Sequence, residues 1–64
     1  MPHRYFTKDL SGGRAALTGG DAHHLADVMR AWPGDEVVLC GPDGLEYTGT
    51  VTALLPGRVE FSVS

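Results

Sequence analysis

The spacing of apolar residues changes from a helical to a strand period at Pro33-Gly34, which limits the chain to a mixed architecture. Before this point, five apolar residues fall on one stripe of a helix predicted over residues 20–31: Ala22, Leu25, Val28, Met29 and Trp32. Pro33 ends that helix because proline disfavours helical geometry at the residue before it. Thr18, three residues ahead of Asp21, has the spacing of a helix N-cap and predicts a capping hydroxyl.

The residues after Gly34 predict strands. Three are expected, over residues 36–40, 45–53 and 58–63, joined by turns at Gly41-Pro42-Asp43-Gly44 and Leu55-Pro56-Gly57. In the last of them Val59, Phe61 and Val63 alternate with polar residues, as expected for a half-buried strand. Two shorter strands are predicted before the helix, over residues 3–7 and 14–17.

This pattern favours a single, mostly β domain over residues 1–64, with about five strands and one helix. Curling the strands into a small OB-like barrel, with the helix over one opening, buries the apolar faces and covers the sheet edges. A chain of 64 residues has room for a thin core but not for a core and a deep pocket. The domain alone is therefore not expected to be catalytic.

Charge is unevenly distributed along the chain. The net charge of −3 lacks the basic excess that phosphate binding usually requires. However, four of the five cations lie in the first half of the chain: Arg4, Lys8, Arg14 and Arg30. The second half contains five carboxylates and one cation, Arg58. Either Arg4, Lys8 and Arg14 form a limited basic surface in the N-terminal half, or these charges only solvate the protein.

The predicted helix carries the densest group of candidate functional residues. His23, Asp27 and Arg30 share its outer face, with His23 and Arg30 two turns, or roughly 10 Å, apart. Two donors at that distance suit a polyanion, and the alternative is a solvated face on which Asp27 pairs with both neighbours. His24 projects to the flank of the apolar stripe, where a semi-buried structural role is expected.

Other residues are ambiguous or argue against particular functions. Tyr5 and Phe6 fit core packing better than base stacking, and Trp32 fits either the core or a contact with another domain. No metal, cofactor-binding or catalytic motif is present. Cys40 is the single cysteine, and no signal peptide or membrane-length apolar run occurs, so the expected setting is cytoplasmic and no membrane partner is predicted.

Motifs along the whole chain resemble those of one enzyme family. They are Pro2-His3-Arg4-Tyr5-Phe6, Ala16-Leu17-Thr18-Gly19, Asp21-Ala22-His23-His24-Leu25 with Val28-Met29-Arg30, Pro33-Gly34-Asp35-Glu36-Val37, and Gly41-Pro42-Asp43-Gly44. The order of these motifs resembles the N-terminal PUA-like domain of the bacterial 16S rRNA uridine N3-methyltransferases, the RsmE-type enzymes of the SPOUT class.

The resemblance implies a role in rRNA processing: this domain would hold 16S rRNA or the small ribosomal subunit. RNA-binding residues would be Arg4, Arg14, His23 and Arg30. A C-terminal SPOUT domain, which nothing in this sequence matches, would bind S-adenosyl-L-methionine, form the homodimer and transfer the methyl group. The domain itself would need no cofactor. The alternative is a stand-alone β-barrel that binds another protein through Trp32 and the acidic half.

Overall fold

A computed structural model describes residues 4–64 as six strands and one short helix. In chain order the elements are β1 (Arg4–Phe6), β2 (Leu10–Ser11), β3 (Arg14–Thr18), α1 (Gly19–His23) continued by a π-helical turn (His24–Val28), β4 (Glu36–Cys40), β5 (Glu46–Leu55) and β6 (Arg58–Val63). The mostly β class with one helix is confirmed. β2 was not predicted, and β5 runs two residues further than expected. The start of the first predicted strand, His3, lies outside the described residues.

All six strands form one curled, half-barrel sheet in the order β1-β4-β5-β6-β3-β2. β1 and β4 are parallel, and the other neighbours are antiparallel. Bonds between the segment after β1 and β3 help to close the curl: the Thr7 hydroxyl donates to the Ala16 carbonyl at 2.6 Å, and the Ala16 amide donates to the Asp9 carbonyl at 3.0 Å. The segment after β1 therefore lies along the edge of β3, next to the pairing of β2 with β3.

The core lies inside the curled sheet and beneath the helix. Its fully buried side chains are Leu39, Val51, Val59 and Phe61. Tyr5, Leu17, Ala22 and Leu25 pack around them. Burial of Val59 and Phe61 confirms the predicted phase of the last strand, because a shift by one residue would have turned both outward.

The helix is shorter than predicted, and its second half has a different period. It ends at Val28 rather than at residue 31, and its last turn uses a hydrogen bond from the Met29 amide to the His24 carbonyl. Such i→i+5 bonds widen the turn, so a stripe drawn at 100° per residue no longer describes the buried face beyond Leu25. Consequently Val28 is 61% exposed and Trp32 is 73% exposed. The prediction of a core position is wrong for Val28. For Trp32 the exposure excludes the core, and the alternative, a contact with another domain, stays a prediction.

The N-terminus of the helix also differs from prediction. Thr18 occupies the N-cap position with an extended backbone, but its side chain makes no capping hydrogen bond. Thr18 is also the last residue of β3, where it pairs with Arg58 of β6. The helix therefore starts directly from the end of a strand. No helix in the described part of the chain is long and apolar enough to cross a membrane.

Candidate functional site

The four predicted contact residues lie on different elements instead of forming one basic patch. Arg4 is in β1 at one edge of the sheet, and Arg14 starts β3, next to the other edge. Three strands separate β1 from β3 in the sheet order. His23 ends the α-helical part, and Arg30 follows the π-helical turn. The predicted contact residues therefore come from four separate parts of the fold.

Two of these four residues pair with carboxylates. Nη2 of Arg4 lies 2.8 Å from Oε2 of Glu46, across the outer face of β4. Nδ1 of His23 lies 2.7 Å from Oδ2 of Asp27 one helical turn later, as the solvated-face alternative proposed. Both pairs are well exposed, and exposed ion pairs typically contribute only about 0–1 kcal/mol. An RNA phosphate can therefore compete with these carboxylates at little energetic cost.

Arg30 does not share the helix face with His23. Its φ of +53° places it in the left-handed region, where the chain leaves the helix. Hydrogen bonds on either side fix this turn: Met29 donates to His24, and Ala31 donates to the Leu25 carbonyl at 3.0 Å. Glycine usually occupies such a position after a helix. The predicted pairing of Arg30 with Asp27 is absent from the described residues, which leaves the guanidinium available to a ligand.

A groove with a volume of about 480 Å³ combines two arginines. Arg14 lies on its wall and forms no ion pair within residues 4–64. Arg58 lies 3.5 Å from Asp9, and its Nε donates to Glu60 at 3.0 Å. The hydrogen bond to Glu60, with a smaller electrostatic contribution from Asp9, raises the pKa of Arg58. Arg14 is thus the groove's uncompensated cation.

Sequence reasoning missed Arg58 as a member of this groove. Its position on the last strand was visible, but its neighbour on β3 was not, because β3 and β6 are far apart in the chain. The signal that could have suggested it is that Arg58 is the only cation of the acidic half. Its two carboxylate partners nevertheless make it a weaker anion ligand than Arg14.

The adjacent aromatic residues of β1 point in opposite directions. Tyr5 is buried in the core, whereas Phe6 is 74% exposed. The core-packing prediction therefore holds for Tyr5 and is wrong for Phe6. The Tyr5 hydroxyl lies 3.0 Å from Nδ1 of half-buried His24, so His24 joins the helix to the sheet. Among residues 4–64 no three potential metal ligands are grouped together.

Comparison with known proteins gives a matching family model, a related sequence and similar solved structures. A family model described as "RNA methyltransferase PUA domain" matches residues 17–64. Ribosomal RNA small subunit methyltransferase E of Bacillus subtilis (strain 168) is 42% identical over 31 residues, which are 48% of this chain and 12% of that protein.

Solved structures are similar over nearly the whole chain. A predicted RNA methyltransferase of Thermotoga maritima has a TM-score of 0.83 at 22% identity, covering 98% of this chain and 28% of that one. Ribosomal RNA small subunit methyltransferase E of Neisseria gonorrhoeae, bound to S-adenosyl methionine, has a TM-score of 0.76 at 20% identity, covering 98% and 27%. At these identities the likeness shows the shared fold. The chain spans little more than a quarter of either structure.

Proposed function

Because this chain belongs to the family of RNA methyltransferase PUA domains, we propose that it positions RNA for a methyltransferase acting on small-subunit ribosomal RNA. The family match carries this proposal, since it includes the helix and all of β4, β5 and β6. The Bacillus relative supports small-subunit rRNA as the substrate class. This alignment covers 12% of the Bacillus protein, so the activity of a longer protein is inferred from relatives.

In that longer protein, the methyl group would come from S-adenosylmethionine, the molecule bound to the Neisseria relative. The acceptor would be N3 of a uridine in 16S rRNA. A C-terminal knotted domain of the SPOUT class would bind the cofactor and form the homodimer, in the cytoplasm. Residues 1–64 would then form one RNA-binding domain without catalytic, cofactor-binding or metal-binding residues. The groove that contains Arg14 and Arg58 supports this division, because four of its eight lining residues are charged, whereas cofactor sites are mostly apolar.

Within the domain, Arg14 and Arg30 are the strongest candidates for phosphate contacts, because neither is paired with a carboxylate in the described residues. Arg4 and His23 would bind phosphate by exchanging their exposed partners, Glu46 and Asp27. Such contacts fix the position of an RNA and carry little sequence information. That suits a domain which presents a substrate to an active site elsewhere.

A salt titration of RNA binding tests the proposal. Filter binding of a small-subunit rRNA fragment is measured between about 50 and 200 mM salt. The logarithm of the affinity should fall linearly with the logarithm of the salt concentration, with a slope of roughly −0.7 to −0.9 per contacted phosphate. Arg14→Ala should lower both the affinity and the slope. Arg14→Lys, the matched control, should largely preserve the slope because it keeps the charge. Binding that is absent, or independent of salt, would overturn the proposal. Calorimetry showing stoichiometric S-adenosylmethionine binding to these 64 residues would contradict the proposed division of labour.

A second candidate function is protein binding through the surface near the end of the helix. Trp32, Val28 and Met29 are all exposed there. A natural gene that continues past Ser64 into a knotted domain supports the methyltransferase proposal. A stop codon at that point would instead favour a stand-alone interaction module.

A further inference from the structure

Exposed side chains at the start of the chain alternate between cationic and aromatic. Arg4, Phe6 and Lys8 are all exposed, and the buried Tyr5 separates the first two. Residues two apart on a strand project from the same face, about 6.7 Å from one another. Arg4 and Phe6 of β1 therefore share the outer face of the sheet, and Lys8 follows directly after the strand.

The residues from Phe6 to Lys8 separate two grooves of about 260 Å³ each, both of which these residues help to line. We call these three residues the 6–8 ridge. Asp9 and Asp21 line the first groove, where they would repel a phosphate. The second groove is completed by Cys40, Gly41 and Pro42 and has no carboxylate in its lining. The second side of the ridge therefore presents less negative charge to a polyanion than the first.

Hydrogen bonds on both sides hold the 6–8 ridge in place. Phe6 is in register with Cys40 in the parallel ladder of β1 and β4. The Thr7 amide donates to the Cys40 carbonyl at 3.0 Å, and the Thr7 hydroxyl donates to Ala16 at 2.6 Å. Hydrogen bonds therefore hold the backbone that carries the exposed Phe6 ring. Because of this, little conformational entropy is lost when a planar ligand stacks on the ring.

We propose that Phe6 is the stacking platform for one unpaired RNA base, which lies on the Cys40–Pro42 side, and that Lys8 binds an adjacent phosphate. Proteins bind single-stranded RNA by stacking bases on exposed aromatic rings beside cations. The Phe6 ring, the Lys8 cation and the groove without a carboxylate in its lining together meet those requirements. This inference rests on the proposed function and specifies which part of an RNA the domain holds.

An abasic RNA separates stacking from phosphate binding. The probe is a single-stranded oligouridylate of about eight nucleotides, compared with the same backbone lacking its bases. Phe6→Ala should weaken binding of the intact oligonucleotide about 5- to 150-fold and leave binding of the abasic one unchanged. Lys8→Ala should weaken binding of both probes and reduce the salt slope by about one phosphate contact. Trp32→Ala is the matched control, because Trp32 is exposed to the same extent as Phe6.

A fluorescence readout gives an independent check. In the double variant Phe6→Trp, Trp32→Phe, the single tryptophan replaces the proposed platform. Its emission should be quenched by the oligouridylate and not by the abasic backbone. Equal affinities of the parent and Phe6→Ala for the intact probe would refute the stacking role while leaving RNA binding intact. Failure of the parent to bind either probe would overturn this inference, and failure to bind the rRNA fragment as well would overturn the proposed function. A thermal melt of each variant confirms that the fold is retained.

Discussion

The Tyr5 hydroxyl lies 3.0 Å from Nδ1 of His24, which links the first strand to the start of the π-helical turn. The two rings are tilted, with centroids 6.1 Å apart. Burial, together with the negative charge of Asp21, raises the pKa of Tyr5. The phenol therefore stays protonated in neutral solution, and the two side chains share a hydrogen bond whose direction follows the histidine tautomer.

Removing this link should cost stability rather than RNA affinity. In His24→Ala the buried Tyr5 phenol loses this hydrogen bond, and we expect a loss of about 1–3 kcal/mol in the free energy of unfolding. Tyr5→Phe should cost less, about 0.5–1.5 kcal/mol, because the ring remains in the core. Urea unfolding measures both. If His24→Ala melts like the parent but binds RNA poorly, His24 belongs to the RNA surface.

Substitution of Arg30 should separate folding from binding. Arg30→Gly removes a left-handed non-glycine residue, which costs about 1–2 kcal/mol, but adds unfolded-state entropy worth about 0.4–1 kcal/mol. We therefore expect a net gain of about 0.5–1 kcal/mol in stability. Loss of the guanidinium should weaken RNA binding by about 1–3 kcal/mol and flatten the salt dependence by roughly one counterion.

Arg30→Ala is the comparison for this experiment. It retains the unfavourable φ, so its stability should stay close to that of the parent, while its RNA affinity should fall as in Arg30→Gly. A thermal melt beside a filter-binding salt titration distinguishes these effects. Early melting of Arg30→Ala with unchanged affinity and salt slope would make Arg30 a structural residue.

Gly49 should tolerate no side chain. A Cβ atom there would lie 2.5 Å from Cδ1 of Leu39 and 3.3 Å from Cδ2 of Phe61, both of which are buried. Gly49→Ala should therefore destabilise the fold by about 1–3 kcal/mol through overpacking. Gly20→Ala is the control, since nothing lies within 4 Å of its Cβ position and alanine favours the helix. Equal denaturation midpoints for the two variants would contradict the packing at Gly49.

The hairpin turn between β4 and β5 should make stability depend on pH at both extremes. Tyr47 donates a hydrogen bond of 2.5 Å to Asp43, and this bond, followed by one from the Leu45 amide, lowers the pKa of Asp43 below its ordinary 3.8. The same bond raises the pKa of Tyr47 above its ordinary 10.0. The contribution of the pair is therefore fully present between these two values. It is lost as pH falls through the lowered pKa or rises through the raised one.

Thermal melts across the pH range test this dependence in matched variants. Tyr47→Phe should reduce the fall in melting temperature below pH 3.8 and above pH 10.0 relative to the parent. Asp43→Asn should reduce the fall at low pH. If both variants track the parent throughout, the pair contributes nothing to folding, as is common for exposed contacts.

Local sequence patterns predicted the main turn, the position of the helix and every strand except β2. Alternation in residues 58–63 predicted the burial of Val59 and Phe61, because the pleat of a strand imposes a period of two. Gly41-Pro42-Asp43-Gly44 predicted the hairpin, since its turn residues act through their own backbone preferences. The motifs that match the family are likewise readable as a resemblance, without knowledge of the contacts.

Tertiary structure alone decided which side chains are exposed and which charges are paired. Strand geometry requires Tyr5 and Phe6 to face opposite ways, but only the pairing of β1 with β4 decides that Phe6 faces outward. The pairing of Arg4 with Glu46, and the release of Arg30 from the helix face, also depend on the tertiary fold. The physical reason is that residues remote in sequence meet only through the sheet order. Local propensity constrains the backbone of each element, whereas the sheet order determines which charges are neutralised and which side chains are exposed.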